Sequence, residues 1–245
     1  MINLTIVNQQ IEVDEGTPVL EAARLLNIDI PTLCHDPRLK PFGACRLCIV
    51  EITGMAKPVT SCTTPATNGM VVKTTSDKLY RLRRTTVELL LSDHPNDCMV
   101  CIGTGDCKLQ ELAYFYGIRK NRFEGAMRDH NRVDANPFIT REQNKCVMCG
   151  LCVRVCEEVQ GVGAIGYAER GFAAKVTPPF GADLDCEFCG QCVSVCPTGA
   201  LSGRLWANKP RMEGVQLTDT TCTYCGCGCN LTLRSHGDQV IRVDS

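Results

Sequence analysis

The chain has 245 residues, with 26 Lys plus Arg against 27 Asp plus Glu, and its formal net charge of −1 gives no reason to expect a nucleic acid or an anionic membrane surface as partner. Its hydrophobic content of 44% is ordinary for a globular protein, but aromatics are only 5% and cysteines number 19, which leaves a thin apolar core and predicts several small modules held by bound metal. The odd cysteine count, a start without the basic and apolar regions of a signal peptide, no twin-arginine start, and no apolar run near ~18 residues predict a cytoplasmic chain with no membrane segment, its thiols reduced and on metal rather than in disulfides.

Ile2, Leu4 and Ile6, then Ile11 and Val13, alternate with polar residues and predict a β-hairpin turning at Asn8-Gln9-Gln10. Thr17 is the expected N-cap, and Pro18 the first helical residue, of a helix running to Leu26. Cys34, Cys45, Cys48 and Cys62 follow at C-x10-C-x2-C-x13-C spacing, with a strand predicted over residues 49–52. Four thiolates suffice for a 2Fe-2S cluster, and the small residues Gly43 and Ala44 let backbone amides approach it; an all-thiolate structural zinc site is the alternative.

The wide first gap departs from plant-type ferredoxins. It resembles the β-grasp 2Fe-2S domain that begins the large iron-sulfur subunit of respiratory NADH dehydrogenase, iron-only hydrogenases and NAD-linked formate dehydrogenases. The resemblance covers residues 1–78 and implies Cys34, Cys45, Cys48 and Cys62 as the ligands of one 2Fe-2S cluster.

Residues 77–93 predict a helix with Leu79, Leu82, Leu89 and Leu90 on its apolar face and Arg81, Arg83 and Arg84 on a solvated one. Beyond it, His94, Cys98, Cys101 and Cys107 form H-x3-C-x2-C-x5-C, three thiols with no fourth Cys nearby. An imidazole can replace a thiolate on iron and usually raises the potential. The same pattern in the family just named implies that His94 completes a 4Fe-4S cluster in the segment 79–120. His35, His130 and His236 have no such context. Residues 108–145, with Tyr114, Phe115 and Tyr116 as packing residues and a polar stretch from 120 to 136, read as a connector.

Residues 137–208 carry C-x2-C-x2-C-x3-C twice: Cys146, Cys149, Cys152 and Cys156, then Cys186, Cys189, Cys192 and Cys196-Pro197. Three thiolates of such a run wrap three corners of a 4Fe-4S cube, while the fourth points away and ligates the cube of the other run. The expected sets are Cys146, Cys149, Cys152 with Cys196, and Cys186, Cys189, Cys192 with Cys156. Two zinc knuckles are the alternative, but zinc needs no such three-plus-one exchange. This stretch resembles two-cluster bacterial ferredoxins. Between the runs, Gly161, Gly163 and Gly166 match G-x-G-x-x-G formally, yet with no room for the following helix the dinucleotide reading is rejected.

After a polar link over residues 203–214 containing Trp206 and Pro210, Cys222, Cys225 and Cys229 offer three corners of a further cube, with Cys227 between them not expected to ligate. Residues 215–245 resemble the start of molybdenum or tungsten bis-pterin enzymes, formate dehydrogenase in particular, in which a fourth Cys comes some tens of residues later. Residues 231–243 alternate like a hairpin turning near His236, with no partner sheet expected inside the chain and disorder expected in the absence of the pterin domain.

The fold class predicted is α+β: a β-grasp 2Fe-2S domain, a histidine-plus-three-cysteine segment, a two-cluster ferredoxin module and the start of a pterin-enzyme domain. The resemblances together imply the electron-transfer part of a formate dehydrogenase or CO2 reductase catalytic subunit, carrying one 2Fe-2S and three 4Fe-4S clusters, with a further cube and the Mo or W bis-pterin completed outside residues 1–245. No catalytic residue is expected within the chain. Electrons would pass between the pterin metal and a flavin- and NAD-binding iron-sulfur partner subunit. The rival reading is a stand-alone iron-sulfur subunit of an NAD-linked hydrogenase or an NADH dehydrogenase-like complex, with a hydrogenase subunit as partner, and it is expected to lack the Cys222 segment.

Overall fold

The computed structural model describes residues 1–130, 136–204, 206 and 214–244. Strands β1 (Ile2–Ile6) and β2 (Gln9–Val13) pair antiparallel, with Ile2 opposite Val13 and Ile6 opposite Gln9. The two residues left to turn the chain are Val7 and Asn8, both with positive φ (47° and 66°), as a two-residue turn between twisted strands requires. Gln9 and Gln10, expected in the turn, therefore belong to β2. Helix α1 (Val19–Leu25) begins with Pro18 as its N-cap rather than as its first helical residue. Thr17 supplies no side-chain cap; its backbone carbonyl accepts from Ala66 N–H at 2.8 Å instead.

Strand β3 (Ile49–Ile52) forms where expected, followed by β4 (Val59–Thr60) and β5 (Val71–Lys73). The sheet order is β2-β1-β5-β3-β4, with β5 parallel to β1 and the remaining pairs antiparallel. Leu4, Ile6, Val50 and Val72 of the sheet and Val19, Leu20 and Ala23 of α1 make one buried core.

Helix α2 (Asp77–Leu91) starts where Ser76 Oγ accepts from Leu79 N–H at 3.1 Å. Its buried residues are Leu79, Arg83, Val87 and Glu88, whereas Leu82 is 41% and Leu89 53% exposed. The expected faces are thus corrected. Arg83 lies between Leu79 and Val87 at i+4 spacing, and its guanidinium donates to the carbonyls of Leu47 (3.0 Å) and Ile49 (2.6 Å), so polar backbone rather than solvent receives it. Glu88, fully buried, is matched by Arg122 and Arg84.

The stretch read as a connector opens with helix α3 (Lys108–Phe115), which buries Leu109 and Ala113, and Tyr116 follows at 1% exposure. Strand β6 (Ile139–Arg141) leads to the first cysteine run, whose helix α4 (Leu151–Arg154) passes into a π-helical turn over Val155–Val159. Where a dinucleotide fold would place a helix, the short strand β7 (Gly166–Ala168) pairs with β8 (Lys175–Thr177). Helix α5 (Gln191–Ser194) carries the end of the second run, and β9 (Leu201–Gly203) returns antiparallel to β6. Much of the polar link at 203–214, Pro210 included, and part of the polar stretch at 120–136 lie outside the described residues.

Residues 215–244 form a three-stranded antiparallel sheet, β10 (Val215–Thr221), β11 (Asn230–His236) and β12 (Gln239–Asp244). This corrects the expectation of a hairpin without partner: β10 pairs along its whole length with β11, from Val215 opposite His236 to Thr221 opposite Asn230. His236 ends β11 at the turn, as expected. The sheet docks on the body through Arg242, which donates to Asp106 at 2.7 Å and stacks over Trp206 at 4.1 Å. Among the described residues no helix is long and apolar enough to cross a membrane.

Candidate metal centres

None of the 19 cysteines is paired in a disulfide. The first group lies on the loop between α1 and β3 and just after β4. Cys34 Sγ and Cys45 Sγ are 3.4 Å apart, and Cys48 Sγ and Cys62 Sγ 3.3 Å apart, so four thiols stand as two pairs. Two thiolates about 2.3 Å from one tetrahedral metal lie ~3.8 Å apart, close to the spacing found within each pair. Leu33 N–H donates to Cys45 Sγ (3.3 Å) and Cys45 N–H to Cys34 Sγ (3.4 Å). The Cys45 and Cys62 thiols beside them hold Cys34 and Cys48 below the usual thiol range, while Cys45 and Cys62 are pushed up by those same neighbours and by burial. Arg46, between Cys45 and Cys48, has a φ of 58°. A non-glycine residue held there stores backbone strain, as is common at functional loops.

The two cysteine runs repeat one local geometry. Met148 (φ 53°) and Phe188 (φ 52°) occupy the same place in each, and their backbone N–H groups donate to Cys146 Sγ and Cys186 Sγ, both at 3.4 Å. Gly150 (φ 73°) and Gly190 (φ 76°) then cap α4 and α5. The chain crosses between runs: Cys196 joins Cys146, Cys149 and Cys152 in the wall of one cavity, and Cys156 joins Cys186, Cys189 and Cys192 in the wall of another. Ile165 faces both; Leu201 adds to the first and Leu184 to the second. Burial, with Cys196 as the next cause, pushes Cys149 up to about 12, and burial, then Cys189, Cys186 and Cys156, does the same to Cys192.

These residues fit iron-sulfur clusters better than single metal ions. Among the described residues no three Cys, His, Asp or Glu side chains converge as a mononuclear ion demands. The eight thiols of the two runs instead wall two cavities, four to each, the shape a cube with ligands at its corners requires.

His94 is 7% exposed; its Nδ1 lies 2.9 Å from Pro95 O, and its Nε2 is buried with no hydrogen-bond partner. That arrangement fixes the Nδ1–H tautomer and leaves the Nε2 lone pair available to a metal. Burial lowers its pKa from the usual imidazole value, which favours the neutral ring. Cys98, Cys101 and Cys107 act on one another electrostatically, Cys98 and Cys107 both pushed up, chiefly by burial. The segment is pressed against the end of the second run: a Cβ on Gly199 would meet Cys101 Sγ at 2.7 Å, and Lys108 N–H donates to Pro197 O at 3.0 Å.

The last group sits between β10 and β11, where Cys222 N–H donates to Cys229 O at 2.7 Å. Cys225, Cys227 and Cys229 are exposed, and the N–H and thiol of Cys227 lower the pKa of Cys225. Cys227, which sequence spacing sets aside, lies on the same exposed loop as Cys225 and Cys229. Sequence reading missed Arg83, Arg141, Lys145 and Arg154, buried cations around these sites that no motif marks.

Four stretches match family models in chain order: a 2Fe-2S iron-sulfur cluster binding domain (residues 1–77), an NADH-ubiquinone oxidoreductase-G iron-sulfur binding region (83–122), the ferredoxin-like domain of NADH-quinone oxidoreductase subunit 3 (136–202) and a molybdopterin oxidoreductase Fe4S4 domain (215–245). The protein is therefore built from ferredoxin-type iron-sulfur domains of both the 2Fe-2S and 4Fe-4S kinds. Over its full length it is 40% identical to a G-type subunit of NADH-quinone oxidoreductase from Rhizobium meliloti (strain 1021) and 40% identical to the alpha subunit of NADPH-Fe(3+) oxidoreductase from Geobacter sulfurreducens, spanning 29% of each. It is 46% identical to the HndD subunit of the NADP-reducing hydrogenase of Solidesulfovibrio fructosivorans over 82% of this chain and 36% of that protein. A chain of an NAD+-reducing NiFe-hydrogenase, solved in the H2-reduced state, superposes with a TM-score of 0.79 and 32% identity over 85% of this chain and 90% of that one. The chain belongs to the family formed by the iron-sulfur region of the G-type subunits of NADH-quinone oxidoreductase and of NAD-reducing hydrogenase-type subunits, with a molybdopterin oxidoreductase Fe4S4 domain added. Its domains are iron-sulfur domains of the kind found in those subunits.

The Cys222 segment was expected to separate a formate dehydrogenase from these relatives. It does not, because the Rhizobium and Geobacter proteins match 100% of the chain, that segment included, and neither is named for formate.

Proposed function

We propose that this chain relays single electrons within an NAD(P)-linked oxidoreductase of the NADH dehydrogenase or hydrogenase type, between a flavin- and nicotinamide-binding iron-sulfur partner subunit and a second redox partner. The observation that carries this reading is the crossed arrangement of thiols, Cys196 with the Cys146 run and Cys156 with the Cys186 run, around two cavities. When bound, iron-sulfur clusters accept and donate one electron at a time. Cys34, Cys45, Cys48 and Cys62 would hold a 2Fe-2S cluster within a β-grasp domain, a reading supported by the parallel pairing of β1 with β5. His94, Cys98, Cys101 and Cys107, and the two crossed sets, would each hold a 4Fe-4S cluster. The backbone N–H groups of Met148, Phe188 and Ala164 point at Cys146, Cys186 and Cys156 and would offset thiolate charge, while Ile165, Leu184 and Leu201 exclude water. The number of thiols to be kept reduced favours the cytoplasm.

The test is the metal load of anaerobically prepared protein. One 2Fe-2S and three 4Fe-4S clusters give ~14 iron per chain, and Cys196→Ser should remove the cube of the Cys146 run while sparing that of the Cys186 run. Protein carrying mainly zinc refutes the reading.

The match of residues 215–245 to a molybdopterin oxidoreductase Fe4S4 domain supports a second reading, the electron-transfer part of a formate dehydrogenase. There Cys222, Cys225 and Cys229 would hold a further cube beside a Mo or W bis-pterin, its fourth ligand lying outside residues 1–245. Molybdenum or tungsten in the natively isolated complex, together with formate-dependent reduction of its clusters, decides for this reading; NADH-dependent reduction without either metal decides for the first.

A further inference from the structure

Arg154 ends α4, two residues beyond Cys152, and is 8% exposed. Its guanidinium reaches across to the first domain, where it donates to the carbonyls of Cys34 and Lys40, both at 2.7 Å, and stacks on Phe42 at 4.9 Å. Both acceptors are neutral. Among the described residues no carboxylate lies within 4.0 Å of it, and Glu158, one helical turn on, accepts the Lys40 backbone N–H at 2.9 Å instead. Its Nε is buried without a partner. Arginine stays protonated at any pH a folded protein survives, so this is a permanent buried cation. A buried charge without a counter-charge is strongly destabilising, and a protein keeps one where an anion completes the balance. The groups that could do so as cluster-bound thiolates lie on either side: the Cys34 pair across the interface, and Cys149 and Cys152 on the turn before its own helix and on that helix.

Resting on the cluster sites proposed above, we infer that Arg154 is the buried counter-charge shared by the Cys34–Cys62 site and the Cys146–Cys196 site, and that it raises the reduction potential of both. Each electron added makes a thiolate-ligated cluster more negative, so a fixed cation held in a desolvated interface favours the reduced form. Arg154 touches no reacting atom, so it is a positioning residue for electron affinity. Lys145, by contrast, is buried with Asp97 (3.3 Å) and Glu142 (2.6 Å) against it, so its charge is already matched.

The test is a redox titration of the whole chain, followed by paramagnetic resonance, in wild type, Arg154→Gln and Arg154→Lys, with iron content measured on each. Arg154→Gln should lower the electron affinity of the two neighbouring clusters by tenfold or more, about 59 mV for a one-electron couple, and leave the His94 and Cys186 clusters near their wild-type values. Arg154→Lys, which keeps the charge but not the two-carbonyl clamp, should restore most of the shift. Unchanged potentials in a fully loaded Arg154→Gln protein, or equal losses in the Gln and Lys variants, overturn the inference. Should Arg154→Gln fail to load both clusters, Phe42→Ala decides: uncovering the guanidinium lets water screen it, and both potentials must fall while iron stays constant. Wild-type protein lacking iron would refute the cluster reading itself, a different outcome.

Discussion

Gly150 and Gly190 hold equivalent places in the two cysteine runs, yet substitution should cost different amounts. Both have positive φ, 73° and 76°, so alanine at either pays the left-handed penalty of about 1–2 kcal/mol. A Cβ at 190 meets nothing within 4 Å, whereas at 150 it would stand 2.1 Å from Tyr167 Oη and 3.2 Å from Phe42 Cε1. Overpacking of that kind adds about 1–3 kcal/mol. Gly190→Ala should therefore destabilise by about 1–2 kcal/mol and Gly150→Ala by about 2–5 kcal/mol, near 2–4 °C of apparent unfolding midpoint per kcal/mol in a chain of this size. The assay is thermal unfolding of anaerobic protein, followed by the loss of visible absorbance. Tyr167→Phe removes the clashing oxygen, so in that background the cost of Gly150→Ala should fall toward that of Gly190→Ala. Equal losses at the two glycines, or strict additivity with Tyr167→Phe, would refute the packing argument.

His94→Cys should retain a cube but lower its potential, because thiolate donates more charge to iron than neutral imidazole does; an unchanged titration would mean that His94 is no ligand. Arg83→Leu strands the carbonyls of Leu47 and Ile49, each at about 1–3 kcal/mol, and should lower the urea midpoint with loss of the 2Fe-2S signal first, with little rescue by Arg83→Lys. Asp106→Asn weakens the docking of the β10–β12 sheet, where Arg242 and Arg234 converge on that carboxylate, and should speed proteolytic cleavage near residue 214 without changing iron content.

Spacing alone singled out the cysteines of the two runs, because covalent reach along a short loop is a local property. What it hid was long-range. The helix over residues 77–91 was legible from periodicity, but its inward face was not: Arg83 is buried because two carbonyls 34 and 36 positions earlier need donors, and no pattern in the helix records them. Strand β10 went unseen for the opposite reason. Six of its seven residues are exposed, so it carries no alternation, and backbone pairing with β11 rather than burial holds it. The hairpin turn was misplaced by one or two residues since Val7 in a left-handed conformation contradicts the preference of β-branched side chains.

Composition suggested separate small modules, each folded on its own metal, but the packing joins them. One buried cluster contains Leu33, Leu39 and Leu47 from the first domain, Val87, Leu109 and Tyr116 from α2 and α3, and Leu151 and Val155 from the first cysteine run. Cys34, Cys45, Cys107 and Cys149 lie in that same cluster. A close-packed interior transmits strain and permits few alternative arrangements, so three candidate centres are fixed relative to one another by the side chains that also build their walls. Flexible linkers between modules would leave the distances between centres to diffusion, and a relay that depends on those distances gains from a shared core. The 215–244 sheet is held differently, by arginines on Asp106 and the Trp206 ring at its rim, a polar contact of the kind that joins domains rather than the shared core that fixes the inner three.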